Sequence, residues 1–168
     1  GVTWSEPIQI SEGNNSDSYE PSIACWGDNV YVVFTDDRNA GQYDIYMANS
    51  SDAGGTWSAN KRITFTPDPD WEGNPQISVN ASNIHIAYGM RIGVPFVTEI
   101  FYMNSTDGGV TWCPRVQLSQ DNDAHSLNVA IAINGSNIHA VWDDRKNLDG
   151  GEIYYRNSTD GGVTWNPE

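Results

Sequence analysis

The chain has 168 residues, 38% of them hydrophobic, and a formal net charge of −14 from 22 acidic against 8 basic side chains. That balance argues against nucleic acid and anionic membrane surfaces as partners, since both call for clustered Lys and Arg. No apolar run approaches the ~20 residues of a membrane span, while the length is enough for a single segment, 1–168, with a sizeable core.

In chain order the predicted elements are all strands. A first run covers 3–11 and passes through Ile10. After a polar connection at 11–20, alternating apolar and polar runs at 21–26 and 29–35 are joined by the tight turn Gly27-Asp28. A second polar connection, 36–43, leads to a strand at 44–49, a turn, and an outer run from Trp57 through Ile63. The order then returns. Strands at 75–80 and 83–89 meet at Ala81-Ser82, with 99–104 and a run through Leu118 following; strands at 128–133 and 137–143 meet at Gly135-Ser136, followed by 152–157. No segment has a helical period, so the class is all-β.

The repeat is anchored by Asn-Ser-Thr-Asp-Gly-Gly-Val-Thr-Trp at 157–165 and again at 104–112, with Asn-Ser-Ser-Asp-Ala-Gly-Gly-Thr-Trp at 49–57 and the tail Gly-Val-Thr-Trp at 1–4. The tryptophans at 4, 57, 112 and 165 recur at intervals of 53, 55 and 53 residues, a spacing that signals a repeat architecture with units 5–57, 58–112 and 113–165. In each copy an aspartate (Asp52, Asp107, Asp160) can accept main-chain N–H groups, and glycines supply left-handed backbone. The indole that follows buries an apolar face. Turn chemistry accounts for Ser50, Asp52, Gly54 and Trp57, for Ser105, Asp107, Gly109 and Trp112, and for Ser158, Asp160, Gly162 and Trp165, which are therefore read as structural.

The pattern Ser-x-Asp-x-Gly-x-Thr-Trp at 50–57, 105–112 and 158–165 resembles the Asp box of the bacterial-neuraminidase (BNR) repeat, found in sialidase-like β-propellers. The resemblance implies four-stranded antiparallel blades, three in this chain. Propellers have ~4–8 blades, so a ring would need a second copy, giving a six-bladed homodimer, or a longer parent. The N-terminal run 3–11 would serve as the outer strand that completes a blade. Alternate connections of such blades share a face, which places the long polar loops together, opposite the Asp boxes; long varied loops are where function usually sits.

Several candidates fall on that face. Asp36-Asp37-Arg38, Arg91 and Asp143-Asp144-Arg145 follow the second strands, so that an arginine recurs in each repeat. Converging arginines could clamp a carboxylate in bidentate fashion, as the sialidase resemblance implies; the alternative is a local Asp–Arg pair in each blade. The resemblance also implies an Arg-Ile-Pro motif and a tyrosine nucleophile with a glutamate. The sequence offers only Arg91-Ile92-Gly93, and in Tyr19-Glu20 adjacent strand residues point apart, so no catalytic residue is assigned. Trp71 could stack on a sugar or plug a gap between blades, and His125 is the loop histidine. His85 and His139 read as packing residues, and Cys25 and Cys113 as buried thiols. Alternating carboxylates at Asp68 and Asp70 and at Asp121 and Asp123 are candidate Ca²⁺ ligands without a full ligand pattern; no other cofactor is implied. The expectation is an extracellular or cell-surface module that binds carbohydrate or protein through its long loops. A sialidase-type hydrolase with a composite site and a structural repeat of a larger surface protein are the alternatives.

Overall fold

The computed structural model describes residues 3–12, 15–65, 71–146 and 150–168. Among these residues eleven strands form three antiparallel sheets, and no helix occurs. The first sheet orders β1 (Ser18–Trp26), β2 (Asn29–Asn39), β3 (Gln42–Ser50) and β4 (Lys61–Arg62) side by side. The second repeats this with β5 (Glu72–Asn80), β6 (Asn83–Ile92), β7 (Val97–Ser105) and β8 (Val116–Gln117). The third has β9 (Ser126–Asn134), β10 (Asn137–Asp144) and β11 (Glu152–Ser158). The hairpins at Gly27, Ala81 and Gly135 have φ of 58°, 56° and 62°, the left-handed backbone that a tight antiparallel turn requires.

Period-2 alternation sends the two faces of each strand into different cores. From β6, Ile84, Ile86 and Tyr88 enter a core with Tyr31, Val33, Ile45 and Met47 of the first sheet. Ala87, from the opposite face, joins Ile100, Tyr102 and Leu118 against Val129, Ile138 and Trp142 of the third. The sheets thus stack face to face in chain order, with β1, β5 and β9 as neighbouring inner strands.

Each Asp-Gly turn closes on the hairpin of its own sheet: Ala53 N–H donates to Asp28 O (2.9 Å), Gly108 to Ser82 O (3.0 Å) and Gly161 to Ser136 O (3.0 Å). At the other end, Asp37 N–H donates to Asp17 O (3.3 Å), Arg91 to Trp71 O (2.9 Å) and Arg145 to His125 O (3.0 Å). These bonds tie each β2–β3 type connection to the connection that enters its sheet, so the two sets of loops share one end.

Several boundaries depart from the sequence reading. The polar stretches 36–43 and 90–98 are largely strand, with pairing carried out to Asn39–Gln42 and Ile92–Val97. The side-chain bond from Asn39 Nδ2 to Gln42 Oε1 (3.0 Å) helps to hold the first of these. The outer strands, expected to be long, pair over only two residues each. The segment 3–12 does not complete the third sheet. It crosses the free face of the first, where Ile10 packs with Trp57 on Val32, Phe34 and Tyr46 and its carbonyl accepts Asn60 Nδ2 (2.9 Å). Ile10 there covers one face of its sheet as Ile63 and Leu118 do at the two inter-sheet joints, and among the described residues no fourth strand pairs with β11. Cys25 and Cys113 are free thiols, but both are exposed where the sequence suggested burial.

Candidate functional site

The three Asp-Gly turns are built alike. In the second, Ser105 Oγ donates to Asp107 Oδ1 (2.7 Å), which also accepts Thr111 N–H (2.9 Å), while Thr111 Oγ1 donates to Asp107 Oδ2 (2.6 Å). Asp52 and Asp160 accept the same three groups from Ser50 and Thr56 and from Ser158 and Thr164. The threonine bonds, together with the serine hydroxyl, hold all three carboxyls down at about 2. Both oxygens of each carboxylate are engaged inside the turn.

The loop end is less uniform. In the first sheet Asp36 is fully buried and accepts Arg38 through Nε (2.8 Å), NH2 (2.7 Å) and the backbone N–H (2.9 Å), and Ser18 Oγ (2.8 Å). Burial alone would raise its carboxyl, but the bonds from Arg38 and Ser18 outweigh it and hold the group below the usual range. Arg38 also pairs with Glu12 (2.9 Å) and lies 4.4 Å over the Tyr46 ring, its side chain only 11% exposed. The local ion pair is what this arginine forms.

The backbone bonds give the true register. Arg91 and Arg145 stand at the position that Asp37 holds in the first sheet, so the arginine of that sheet is one residue out of phase with the other two. Arg38 corresponds instead to Lys146, whose N–H donates to buried Asp144 Oδ1 (2.8 Å) and whose ammonium pairs with Glu168 above the Tyr154 ring. Asp143 accepts Asn128 Nδ2 (2.6 Å). Arg91 lies 5.4 Å over the Trp71 ring. That ring rests on Gly73 and Gly89, where any Cβ would press on it, so Trp71 lies between its own sheet and the guanidinium. Arg145 is exposed, and its guanidinium has no ion-pair or hydrogen-bond partner among the described residues. The other cations are occupied: Arg62 by Asp44 (2.7 Å), Arg115 by Glu72 (3.8 Å), and Lys61 and Arg156 by backbone carbonyls.

One recurring feature was missed in the sequence. Each inner strand carries a bulge opposite β2, β6 or β10, and Glu20, Asn74 and Asn128 sit there with φ of 53°, 52° and 55°. Left-handed residues inside strands are strained and gather at functional positions. The signal was available at 74 and 128, since asparagine tolerates this backbone best after glycine. The three residues, with Trp71, Leu127 and Val129, line a cleft of about 160 Å³. Glu20 Oε2 accepts Thr35 Oγ1 (3.0 Å) and Asn74 N–H (2.5 Å). Tyr19 turns away from Glu20 and donates to Asp17 (2.9 Å).

His85 is buried and bonded through Nδ1 to Tyr102 Oη (2.7 Å), with burial pulling it down to about 4; it is a packing residue. His125, at the loop end, accepts Thr98 N–H on Nδ1 (3.0 Å), which leaves Nε2 as its protonated nitrogen. Asp121 and Asp123 are exposed, and among the described residues no three His, Cys, Asp or Glu side chains gather as a metal site. Asp68 and Asp70 lie outside the described residues.

No protein-family model matches the sequence, nor does any curated protein. Among solved structures, a Dyadobacter fermentans protein of unknown function matches with a TM-score of 0.70 and 16% identity over 94% of this chain and 55% of that one. A Hadza microbial sialidase matches with 0.69 and 18% over 100% of this chain and 38% of that one. A family 117 glycoside hydrolase of the marine bacterium Zobellia galactanivorans matches with 0.63 and 14% over 95% and 48%. The likeness shows a sialidase-like, propeller-type fold. The chain spans about half, or less, of the length of these structures.

Proposed function

We propose that this propeller segment binds an acidic glycan at its loop end without turning it over. The observation that carries the proposal is Arg145, a guanidinium without an ion-pair or hydrogen-bond partner among the described residues, in a chain of net charge −14. A planar, permanently charged fork set at the rim of a propeller is suited to a sugar carboxylate or sulfate, and Arg91 one sheet away offers a second cation in the same register. His125 Nε2–H and the amides of Asn74 and Asn128 add hydrogen-bond donors for sugar hydroxyls. The likeness to a sialidase and a glycoside hydrolase supports a carbohydrate-related role, and we take the Asp-Gly turns to be Asp boxes of the BNR type.

A non-catalytic role is favoured by Tyr19, which stands next to Glu20 in the sequence at this end. Its hydrogen bond to Asp17, with burial and that carboxylate's charge, pushes the phenol up to about 12, the reverse of what activates a nucleophile. We place the module outside the cell or at its surface, where acidic polymers are met. We take its ring to be completed by a second copy or by more of the same chain, which would cover Ile153 (75% exposed) and Tyr155 (49%) on the third sheet. A solution mass twice 18.5 kDa would favour the second copy.

The test is a glycan array run beside a fluorogenic sialoside assay. Binding to carboxylated or sulfated glycans with no turnover supports the proposal. Turnover abolished by Arg145→Ala would establish the sialidase-type hydrolase instead, and neither binding nor turnover would leave a purely architectural repeat.

A further inference from the structure

Directly beneath Arg145 and His125 lies a second layer that no ligand on the loop end would touch. Three dipeptides meet there: Thr98-Glu99 in β7, His125-Ser126 entering β9, and Asp144-Arg145 leaving β10. His125 and Arg145 face outward, while Glu99, Ser126 and Asp144 are each 0% exposed. Ser126 Oγ lies 3.1 Å from Glu99 Oε2 and 3.1 Å from Asp144 Oδ2. A hydroxyl has one proton and cannot donate to both. Asp144 has further donors in Lys146 N–H (2.8 Å) and Asn122 Nδ2 (3.5 Å). Glu99 Oε2 also meets Ser119 Oγ, which itself accepts Ile100 N–H (2.8 Å), and Glu99 Oε1 is buried with no hydrogen-bond partner.

We propose that Glu99 and Asp144 share one proton, held on Glu99 and relayed through Ser126, and that its loss loosens the joint between the second and third sheets beneath the loop end. In the closed joint Glu99 Oε2–H donates to Ser126 Oγ, and the Ser126 hydroxyl donates to Asp144. On deprotonation the proton leaves to solvent, and two buried carboxylates face each other across a single hydroxyl.

Among the described residues no cation pairs with Glu99; the Lys146 ammonium adds only a longer-range attraction to Asp144. From the connection before β9, Asp121 adds a further negative charge. Lys146, after β10, is engaged by Glu168, and Arg156 of β11 is spent on the carbonyls of Leu118, Trp165 and Asn166. His125 Nδ1 is occupied by Thr98 N–H, and the Arg145 side chain faces outward. The first sheet solves the same position differently: Asp44, the counterpart of Glu99, is met by Arg62 at 2.7 Å, whereas Gln117 stands in register with Arg62 in the second sheet. Burial, reinforced by the charges of Asp144 and Asp121, raises the Glu99 carboxyl from 4.5 to about 7 against the opposing pull of the two serine bonds. A folded value above the unfolded one means that the proton stabilises the fold. This contribution is whole below pH 4.5 and is lost as pH rises to about 7.

The inference does not depend on what the loop end binds, and its test uses the unmodified protein first. An NMR titration of the Glu99 side-chain carboxyl should show a midpoint near 7; a midpoint near 4.5 overturns the proposal. Urea unfolding of wild type and Glu99→Gln across pH should give a stability difference that falls between 4.5 and 7 and is flat above; parallel curves contradict it. Hydrogen-exchange protection at the Thr98 and Arg145 amides, which both donate to His125, should drop in wild type as pH passes 7 and hold in Glu99→Gln. Asp144→Asn should move the Glu99 midpoint towards its ordinary value, and an unmoved midpoint would remove the sharing. Should Glu99→Gln fail to fold, the wild-type titration decides.

Discussion

Asp107, Arg38 and Arg145 are all charged residues of strand ends or turns, and they differ in where their charge is spent. Asp107 is consumed within its own turn by Ser105 and Thr111. Because its folded carboxyl titrates at about 2 and an ordinary one at 3.8, the stability it contributes is whole above 3.8 and is lost as pH falls towards 2. Asp107→Ala should therefore lower the urea midpoint at neutral pH and make the acid limb of the stability curve shallower. An unchanged acid limb would mean that the turn bonds do not persist in solution. Arg38 is consumed by buried Asp36, so Arg38→Ala strands a buried carboxylate and should cost about 3 kcal/mol. Arg145→Ala removes no protein contact and should stay within about 0.5 kcal/mol of wild type. Equal losses in the two variants, read by chemical denaturation, would contradict the assignment. The sequence shows Asp-Asp-Arg at both sites and cannot separate them, since the difference lies in a one-residue register that only the bonds to Asp17, Trp71 and His125 reveal.

At the scale of elements, the glycine two places after the aspartate does more than supply a positive φ in the second and third Asp-Gly turns. A Cβ on Gly109 would overlap Met47 of the first sheet, and one on Gly162 would overlap the Tyr102 hydroxyl of the second. The turn of one sheet thus docks onto the third strand of the sheet before it. Gly54, at nearly the same φ, would meet only Trp57 at 3.9 Å, an ordinary contact. Gly162→Ala should therefore cost about 3 kcal/mol, strain plus overpacking, and Gly54→Ala about 1 kcal/mol from strain alone. Matching thermal shifts for the two would show that the docking contributes nothing. Strand identity and order were legible from the alternation in runs such as 83–89 and from the Gly and Asp turn residues. The ends were not. The hairpins extend because polar side chains such as Asn39 and Gln42 bond across the strands, which hydropathy does not register. The bulges come from pairing to a neighbouring strand and leave no break in the hydropathy pattern; the asparagines at 74 and 128 hint at left-handed backbone, whereas nothing marks Glu20.

For the whole molecule, three stacked sheets with neighbouring inner strands concentrate the uncommitted chemistry at one end. Glu99 shows what sequence could not supply there. Its environment is assembled from β7, β9 and β10, with Ser119 and Ser126 lying 20 and 27 positions away along the chain, so nothing local marks it. Arg145 was legible as a candidate but not as the unpaired one, because that depends on where the other cations are spent: six in ion pairs or hydrogen bonds, and Arg91 on the Trp71 ring. With 22 acids against 8 bases, an unpaired arginine at the rim is also the place where an anion meets least repulsion. The most direct test of the account is calorimetric titration of an acidic glycan and its neutral counterpart into wild type, Arg38→Ala and Arg145→Ala at two salt concentrations. The account predicts that wild type prefers the acidic glycan, that salt weakens this preference, and that Arg145→Ala loses at least tenfold in affinity, about 1.4 kcal/mol, while folded Arg38→Ala keeps it. Equal affinity for the two glycans, or full retention by Arg145→Ala, would contradict it.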